Sequence, residues 1–327
     1  MTQILQHRYC TAPMLGATDR HFRQFVRFLS KKTFVYTELV HYRAITQGHY
    51  ADYLSPNALT PPVALQLGGC DPQGLAAAST IAAAHGFQEV NINAGCPSPK
   101  GQDGNFGLCL MEQAPLLAQC VKACVQASPL PVTIKCRLGS RMDYTWEELL
   151  RFIDLNANAG CRCFIVHARR ANMQTWDTHK NRCLPPLHYD QVYRLKEIYP
   201  ELEWVINGDI KNNEEALEHL EHVDGVMLGR SLYHNLYILA NVDKLFFNMT
   251  TEQPPSRAQF VKQHVIPYVS RELAKGVRLS HMVRHILGLF QNERRANTWR
   301  HFLSRHAYKP QAGPEVLLEA LKLTELS

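Results

Sequence analysis

The first 250 residues alternate eight short apolar segments with longer amphipathic ones. Each short segment has too few residues for a helix and is rich in Val, Ile, Leu or Thr, which is typical of a buried strand. The segments are 9–15, 34–40, 62–68, 89–95, 131–137, 163–169, 204–209 and 225–230. Buried strands that alternate with helices predict parallel strands with right-handed crossovers. Eight such units in about 240 residues predict a (β/α)8 TIM barrel.

A doubly wound open sheet is the alternative fold. That fold binds nucleotides through a glycine-rich turn after its first strand. The corresponding turn here reads APMLGATD, residues 12–19, and lacks the GxGxxG pattern. The barrel is therefore favoured. Three predicted helices agree with the barrel. Residues 72–85 are followed by Gly86, residues 145–159 begin with TWEE, which resembles a capping box, and residues 213–221 form a short acidic segment.

The pattern changes after Phe247. Residues 248–256 read NMTTEQPPS, which is typical of a linker, and no strand-like segment follows. We predict helices over 257–269, 271–290 and 293–306, with breaks at Pro267, Gln291 and Gly313-Pro314. The chain is thus expected to have a barrel domain over 1–248 and a small all-helical C-terminal domain over 249–327.

The charge is unevenly distributed over the 327 residues. Residues 257–309 contain eleven Lys or Arg and two acidic residues, a net charge of +9, although the whole chain carries only +6. The remainder is therefore at −3, and the basic C-terminal part predicts a polyanionic partner. A composition of 46% hydrophobic and 20% charged residues argues against a disordered chain. We find no apolar run long enough for a membrane span and no secretory signal.

The ten cysteines do not suggest disulfides or a metal. Their density is low for a disulfide framework, and the chain has no CxxC pair of the kind that zinc sites use. The simplest interpretation is a set of reduced thiols in a cytoplasmic protein. We therefore expect no metal ion.

Polar residues follow nearly every predicted strand at its carboxyl end, where TIM barrels build their active sites. The residues at these ends are Pro13 and Met14, Glu38, Gln66, Asn91 and Asn93, Lys135 and Arg137, His167 and Arg169, Asn207-Gly208-Asp209, and Gly229-Arg230, and all but the first pair include a polar or charged side chain. Ordinary strand-to-loop transitions are the alternative. For Lys135 a function is favoured, because an unpaired charge buried in a strand is costly. His167 is placed to donate a hydrogen bond to a ring or a phosphate oxygen.

The turns after the last two strands suit a phosphate. Barrels often bind phosphate with backbone amides of these two loops. Gly208 and Gly229 let the backbone approach an anion, and Arg230 supplies a positive charge. The alternative is plain turn chemistry, since Asn-Gly is a common turn.

The loop after the fourth strand, NINAGCPSPKGQDGNFGLCL, is rich in glycine and proline. Cys96 lies in it between Gly95 and Pro97, where a thiol packed in a helix or strand is not expected. An exposed thiol in such a loop can act as an acid or a nucleophile. A small hydrophobic loop residue is the alternative.

A set of strings in this order resembles one known family. The strings are APMLGATDRHFR, YTELV, VALQLGG, NINAGCPS, GNFGLCLM, VTIKCR, FIVHAR, VINGDI and DGVMLGR. They are similar to those of the tRNA-dihydrouridine synthases, and NRCLPPLHYDQVYRLK, EEALEHLEHVDGVMLGR and HMVRHILGLFQ resemble the A subfamily. The resemblance runs from about Cys10 to about His306.

The resemblance implies a flavoenzyme with an FMN-binding barrel and a helical domain that grips tRNA. Such enzymes use NADPH to reduce FMN and then reduce the C5–C6 bond of uridines 20 and 20a in the D-loop. Reduced FMN delivers hydride to C6, and Cys96 would be the general acid that protonates C5. The implied FMN contacts are Pro13, Met14, Leu15, Gln66, Lys135, His167, Asn207, Gly208, Asp209, Gly229 and Arg230.

For tRNA contacts we expect Asn93, Arg182, Arg295 and Arg300, with a solvated surface charge as the alternative for each Arg. The family usually has Gly where Asp209 stands, and a carboxylate near a phosphate repels it unless its side chain points away. We expect a monomer. Two other functions stay open: a flavin barrel oxidoreductase acting on a small pyrimidine-like molecule, and a non-enzymatic RNA-binding module on an inactive barrel.

Overall fold

The computed structural model describes residues 7–48, 61–172, 177, 179–250 and 253–325. In these residues one sheet contains nine parallel strands. The strands are β1 (Tyr9–Thr11), β2 (Val35–Tyr36), β3 (Val40–His41), β4 (Val63–Gly68), β5 (Glu89–Asn93), β6 (Val132–Gly139), β7 (Cys163–Arg170), β8 (Glu203–Asn207) and β9 (Gly225–Leu228). Their spatial order is β1-β9-β8-β7-β6-β5-β4-β2, and β3 also pairs with β4.

The sheet closes on itself between β1 and β2. Cys10 forms a parallel bridge to Phe34, the residue before β2, and the Thr11 amide donates to the Phe34 carbonyl at 2.9 Å. β2 and β3 are two parts of the predicted segment 34–40. Between β2 and β3 the backbone amide of Gln66 donates to Thr37 Oγ1 at 3.0 Å. This hydroxyl takes the place of the backbone carbonyl that a regular strand pair would use. The predicted TIM barrel is confirmed.

Helices follow most of the strands. They are α1 (Arg20–Leu29), α2 (Tyr42–Thr46), α3 (Pro72–Ala84), α4 (Pro99–Asp103), α5 (Cys109–Glu112), α6 (Ala114–Ala127), α7 (Trp146–Asn158), α8 (Lys180–Cys183), α9 (Tyr189–Ile198), α10 (Asn213–His219), α11 (Arg230–His234) and α12 (Val242–Phe247), with a 3₁₀ turn over Leu236–Asn241. Thr145 and Glu148 form the capping box that TWEE predicts. Asp71 caps α3 and Asn212 caps α10, so local sequence sets where these helices begin.

Apolar side chains pack in two layers around the strands. Tyr36, Ala64 and Ile165 belong to a small cluster inside the barrel. A larger layer lies between strands and helices and includes Phe152 and Trp204. Successive residues of a strand face opposite sides of the sheet. The polar residues on the inward face therefore lie between the small cluster and the carboxyl ends of the strands.

The C-terminal part is helical, as predicted, but its breaks differ. Its elements are α13 (Arg257–Phe260), a π-helical turn (Val261–Val265), α14 (Ile266–Ala274), α15 (Leu279–Val283), α16 (Ala296–His306) and α17 (Glu315–Glu325). The predicted break at Pro267 is wrong, since the chain stays helical from 257 to 274. The Ile266 amide donates to the Val261 carbonyl five residues back. This wider turn accommodates the proline ring, which clashes with a regular preceding turn.

The predicted helix over 271–290 is also wrong. α14 ends at Ala274 because Gly276 adopts a left-handed φ of +87°. Residues 284–295 form turns, and α17 was not predicted from the sequence. Asn248, with φ of +51°, ends α12 at the predicted domain boundary. The division at 248/249 stays a prediction, and linker residues 251 and 252 lie outside the described part. No helix of the described residues is long and apolar enough to cross a membrane.

Candidate active site

Three of the predicted site residues meet at the carboxyl ends of β6, β7 and β8. Lys135 Nζ donates to Asn207 Oδ1 at 3.0 Å. The amide of Asn207 in turn donates to the Met227 carbonyl at 2.7 Å, which fixes its orientation. His167 lies on the strand between them and is in register with Asn207. The structure thus brings these three side chains together, although β6 and β7 continue for three or four residues beyond Lys135 and His167. Their roles at the site stay predictions.

Positive charge accumulates at this end of the barrel, which we call the mouth. Burial, together with the charge of Arg137, lowers the pKa of Lys135 to about 8. Burial also holds the pKa of His167 well below its ordinary value, and the charges of Arg137, Lys135, Arg169 and Arg230 add to that effect. His167 is therefore a neutral imidazole at pH 7. The positive charges at the mouth repel one another. An anionic ligand bound among them would relieve this repulsion and stabilise the charged side chains.

The turns after β8 and β9 contact each other through an ion pair. Asp209 has a left-handed φ of +53°, a conformation that Gly adopts freely and that Asp tolerates better than most residues. Its carboxylate accepts from Arg230 at 3.2 Å and lies 3.9 Å from Arg169. At Gly229 an added Cβ would lie 3.3 Å from the Ala12 side chain. Glycine thus lets the turns after β1 and β9 approach each other.

The turn after β1 presents apolar side chains at the mouth. Pro13 and Met14 are partly buried, whereas Leu15 is 82% exposed. The Met14 amide donates to Thr18 Oγ1 at 3.0 Å, and the Gly16 amide donates to the Glu38 carboxylate. Hydrogen bonds thus fix this turn, which exposes a large apolar side chain beside cations. Such a surface is suited to cover a planar ligand.

The backbone around Cys96 is held from three sides. Asn93 Oδ1 accepts the amides of Gly95 at 3.2 Å and Cys96 at 3.0 Å. The Cys96 carbonyl accepts the Leu108 amide at 2.9 Å, and Arg137 Nε donates to the Gly95 carbonyl at 2.9 Å. Cys96 itself stays partly exposed. Its thiolate would interact with the charges of Lys135 and Arg137, and nearby cations stabilise a thiolate.

A chain of buried hydrogen bonds supports this loop from below. The Asn93 amide donates to Gln66 Oε1 at 3.0 Å, and the Gln66 amide donates to Asn91 Oδ1 at 2.7 Å. Asn91 continues the chain to Thr133 Oγ1 at 2.8 Å. Gln66 is 1% exposed and Asn93 is 7% exposed. Both amide side chains therefore contact the chain itself and position the Cys96 loop. Sequence reasoning missed this role, although polar residues at 89, 91 and 93 of one strand signal an inward polar face.

The other residues expected to contact tRNA lie on different elements. Arg182 is exposed in α8, in the loop after β7. Arg295 is partly buried and donates to the Leu323 carbonyl at 3.0 Å, so its guanidinium binds the C-terminal helix α17. Arg300 is exposed on α16 and donates to Asn297 at 3.1 Å. Their contacts with tRNA stay predictions.

A basic cleft of about 500 Å³ lies between the barrel and the helical part. Its lining includes four arginines and two histidines from both parts: Arg20, Arg23, Arg278, Arg284, His21 and His281. Asp19 also lines it, and its carboxylate accepts from Arg284 and from buried His285 at 3.0 Å. Burial alone would raise the pKa of Asp19, but hydrogen bonds from His285, the Phe22 amide and Arg284 hold it well below its usual range. The cleft was not predicted, but the +9 segment is a sequence signal for it.

The closed barrel, with cationic side chains gathered at its mouth, defines an α/β-barrel protein whose candidate site lies at the strand ends. Solved structures share this fold. A 2-naphthoyl-CoA reductase in complex with 2-naphthoyl-CoA matches with a TM-score of 0.56 and 9% identity over 79% of this chain and 54% of that chain. The chain thus spans about half of its length. An old yellow enzyme homologue from Zymomonas mobilis matches with a TM-score of 0.52 and 11% identity over 76% of this chain and 91% of that one.

Residues 10–325 match the family model described as Dihydrouridine synthase (Dus). The chain belongs to the dihydrouridine synthase family, which confirms the resemblance found in its sequence. A relative from Synechocystis, named tRNA-dihydrouridine(20/20a) synthase, is 45% identical over 95% of this chain and 92% of its own length. Relatives of the same name from Salmonella typhimurium and Escherichia coli K12 are 47% and 46% identical over 97% of this chain, covering 95% and 91% of their own lengths.

Proposed function

We propose that this chain is an FMN-dependent tRNA-dihydrouridine synthase that reduces the C5–C6 double bond of uridines 20 and 20a in the tRNA D-loop. The names of relatives about 45% identical over nearly the whole chain support this substrate. The observation that carries the proposal is the meeting of Lys135, His167 and Asn207 beside the Cys96 loop. Family membership favours this function over the reduction of a small pyrimidine-like molecule.

The residues at the mouth fit FMN. Lys135 and neutral His167 offer donors to the polar edge of a ring, and burial strengthens both interactions. Gly208, Gly229 and Arg230 lie where a phosphate would bind, in the turns after β8 and β9. Met14 provides an apolar surface for a ring. FMN bound by these residues and reduced by NADPH would supply the hydride that C6 of the uracil receives.

Cys96 would supply the proton that C5 receives. Its partly exposed position allows contact with a base in the mouth, and its anchored backbone limits where the thiol can move. Lys135 and Arg137 would stabilise the thiolate that remains after the proton has left. The roles of Asn93 and Arg137 are to position this loop.

A D-loop uridine must leave the folded tRNA to reach the mouth. The basic cleft lies beside the turns after β1 and β2 and is suited to phosphates of the displaced strand. Positive charge from both the barrel and the helical part would therefore bind the tRNA backbone. NADPH rather than NADH, a monomer and a cytoplasmic location stay predictions.

The deciding experiment supplies purified chain, FMN and NADPH with tRNA that lacks dihydrouridine, followed by nucleoside mass spectrometry. We expect D-loop uridines to gain two hydrogen atoms. A chain that binds flavin but leaves this tRNA unchanged while reducing free uracil or orotate derivatives would instead support the small-molecule oxidoreductase. A chain that binds tRNA without taking up flavin would support an inactive RNA-binding module.

Charge reversal at Arg300 should weaken tRNA binding. Because α16 packs into the same core as the barrel, a point change is a cleaner test than truncation. We expect Arg300→Glu to lower tRNA affinity about 5- to 20-fold and to reduce the slope of log affinity against log salt by roughly 1. Fluorescence anisotropy at several salt concentrations measures both. Arg151→Glu, an exposed change on α7 of the acidic barrel, is the matched control. Equal losses in the two variants would contradict a specific role for Arg300.

Removing the charge of Asp209 should tighten FMN binding. The carboxylate competes with a phosphate for Arg230, but both side chains are about 43% exposed, so the ion pair is weak. We expect Asp209→Asn to raise FMN affinity about two- to fivefold, measured by flavin fluorescence quenching. Asp209→Gly separates charge from backbone: if only Gly strengthens binding, the left-handed conformation and not the charge is the cause.

A further inference from the structure

A second cluster of polar side chains lies at the opposite end of the barrel. His7 precedes β1, Cys163 begins β7 and Glu203 begins β8. These three residues therefore share the amino-terminal end of the strands, which we call the floor. The floor of a TIM barrel serves stability, whereas the mouth carries the chemistry. The cluster belongs to none of the functions proposed above.

We propose that His7, Cys163 and Glu203 bind a zinc ion. Each offers one ligand atom, His7 Nδ1, Cys163 Sγ and a Glu203 carboxylate oxygen, and these atoms all lie within 4.8 Å of one another. A ligand set of nitrogen, sulfur and oxygen is the mixture that zinc accepts, whereas Mg²⁺ and Ca²⁺ prefer oxygen alone. The proposal does not rest on the proposed function.

The distances are close to those of a zinc site. Ligand bonds of about 2.0–2.3 Å at tetrahedral angles separate ligand atoms by roughly 3.3–3.8 Å. Cys163 Sγ lies 3.7 Å from His7 Nδ1, within this range. Glu203 Oε2 lies 2.9 Å from the same nitrogen. That separation is shorter than two zinc ligands allow, and the other Glu203 oxygen accepts the His7 backbone amide at 3.2 Å. Zinc binding therefore requires the Glu203 side chain, which is 27% exposed, to shift.

A further carboxylate orients the His7 ring. His7 Nε2 lies 2.5 Å from Glu89 Oε2, and the other oxygen of Glu89 accepts from Tyr36 at 3.0 Å and from Thr133 at 2.6 Å. Glu89 is fully buried and therefore fixed. A proton held on Nε2 by a carboxylate leaves Nδ1 to face a metal, and this arrangement is usual for metal-binding histidines.

Burial and charge at the floor favour a divalent cation. His7 is 2% exposed and Cys163 is 3% exposed, so their ligand atoms are shielded from water. The carboxylates of Glu89 and Glu203 both lie against the His7 ring, so a divalent cation bound there would lie close to two acidic groups. The partly exposed Glu203 side provides a path for the ion from solvent.

Cobalt and zinc binding to the full chain, without a polyhistidine tag, test the proposal. After removal of metals with a chelator, we expect the chain to take up one Zn²⁺ per molecule by mass spectrometry of metals, and Co²⁺ to give a thiolate-to-cobalt absorption band. Bound zinc should raise Tm by roughly 3 to 6 °C at saturating concentration. Uptake and the cobalt band should be lost in Cys163→Ser and strongly reduced in Glu203→Gln.

The matched control is Cys120→Ser, which changes a fully buried thiol on α6. It should bind zinc and cobalt like the unaltered chain. If Cys163→Ser does not fold, Glu203→Gln decides the matter, because that carboxylate is partly exposed and its replacement keeps the shape. The proposal is overturned if the unaltered chain takes up no zinc, or if the cobalt band survives in Cys163→Ser. Either result would leave the cluster as an ion pair between His7 and two carboxylates.

Discussion

Cys96→Ala should lower the rate of dihydrouridine formation by roughly 10²- to 10⁴-fold, the usual contribution of a positioned general acid. The backbone hydrogen bonds to Asn93 and Leu108 do not involve the side chain, so the loop should keep its place. NADPH should still reduce bound FMN at the unaltered rate, since that step does not need the thiol. Stopped-flow absorbance follows the flavin, and nucleoside mass spectrometry follows the product.

Cys109→Ala is the matched control, because Cys109 is another partly buried thiol and lies on α5, close in sequence to the Cys96 loop. It should retain nearly full activity. If Cys96→Ala forms dihydrouridine as fast as Cys109→Ala does, another group or water protonates C5 and the assigned role of Cys96 is wrong.

Lys135→Met should weaken FMN binding by roughly 30-fold or more, because it removes a desolvated cation that would contact the ligand. Met has a similar length and leaves no buried charge, but it removes the hydrogen bond to Asn207 Oδ1. These effects oppose each other, so the stability of the folded chain should change little. Equilibrium dialysis or fluorescence quenching measures the affinity. Lys122→Met removes an exposed lysine on α6 and should leave FMN affinity unchanged.

The effect of Lys135 should also depend on pH. Its pKa in the folded chain is about 8, below the usual value of 10.5. The amine is therefore charged below about pH 8 and loses its proton as pH rises through that value. FMN affinity should fall above pH 8 in the unaltered chain, and this fall should be absent in Lys135→Met. Identical pH profiles in the two proteins would show that Lys135 does not bind the cofactor through its charge.

The site could be predicted from the sequence wherever the fold repeats a simple rule. Once eight strand-like segments indicated a parallel barrel, the residue at each carboxyl end had to face the mouth. Lys135, His167 and Asn207 therefore met as expected. The capping box at Thr145 was predictable for a similar reason, because it depends only on residues three positions apart.

Other roles could not be predicted, because they depend on partners far apart in the chain. Gln66 and Asn93 were expected to contact FMN and tRNA, and those contacts stay predictions. The structure adds a role that the sequence did not indicate, since both side chains hydrogen-bond to the chain and support the Cys96 loop. Pro267 was expected to break a helix, but a π-helical turn accommodates it. The choice between such outcomes depends on surrounding packing, which single-residue preferences do not contain.

The zinc site proposed at the floor depends on contacts of the same kind. Cysteine spacing predicted no metal, since zinc templates rely on ligands close in sequence. Barrel closure brings residues 7, 163 and 203 together across more than half of the chain. The sequence by itself determined the barrel, the order of the site residues around its mouth and the family, because these follow from local periodicity and short strings. Only the tertiary structure decided which side chains meet, because contacts between distant segments depend on the register and closure of the sheet.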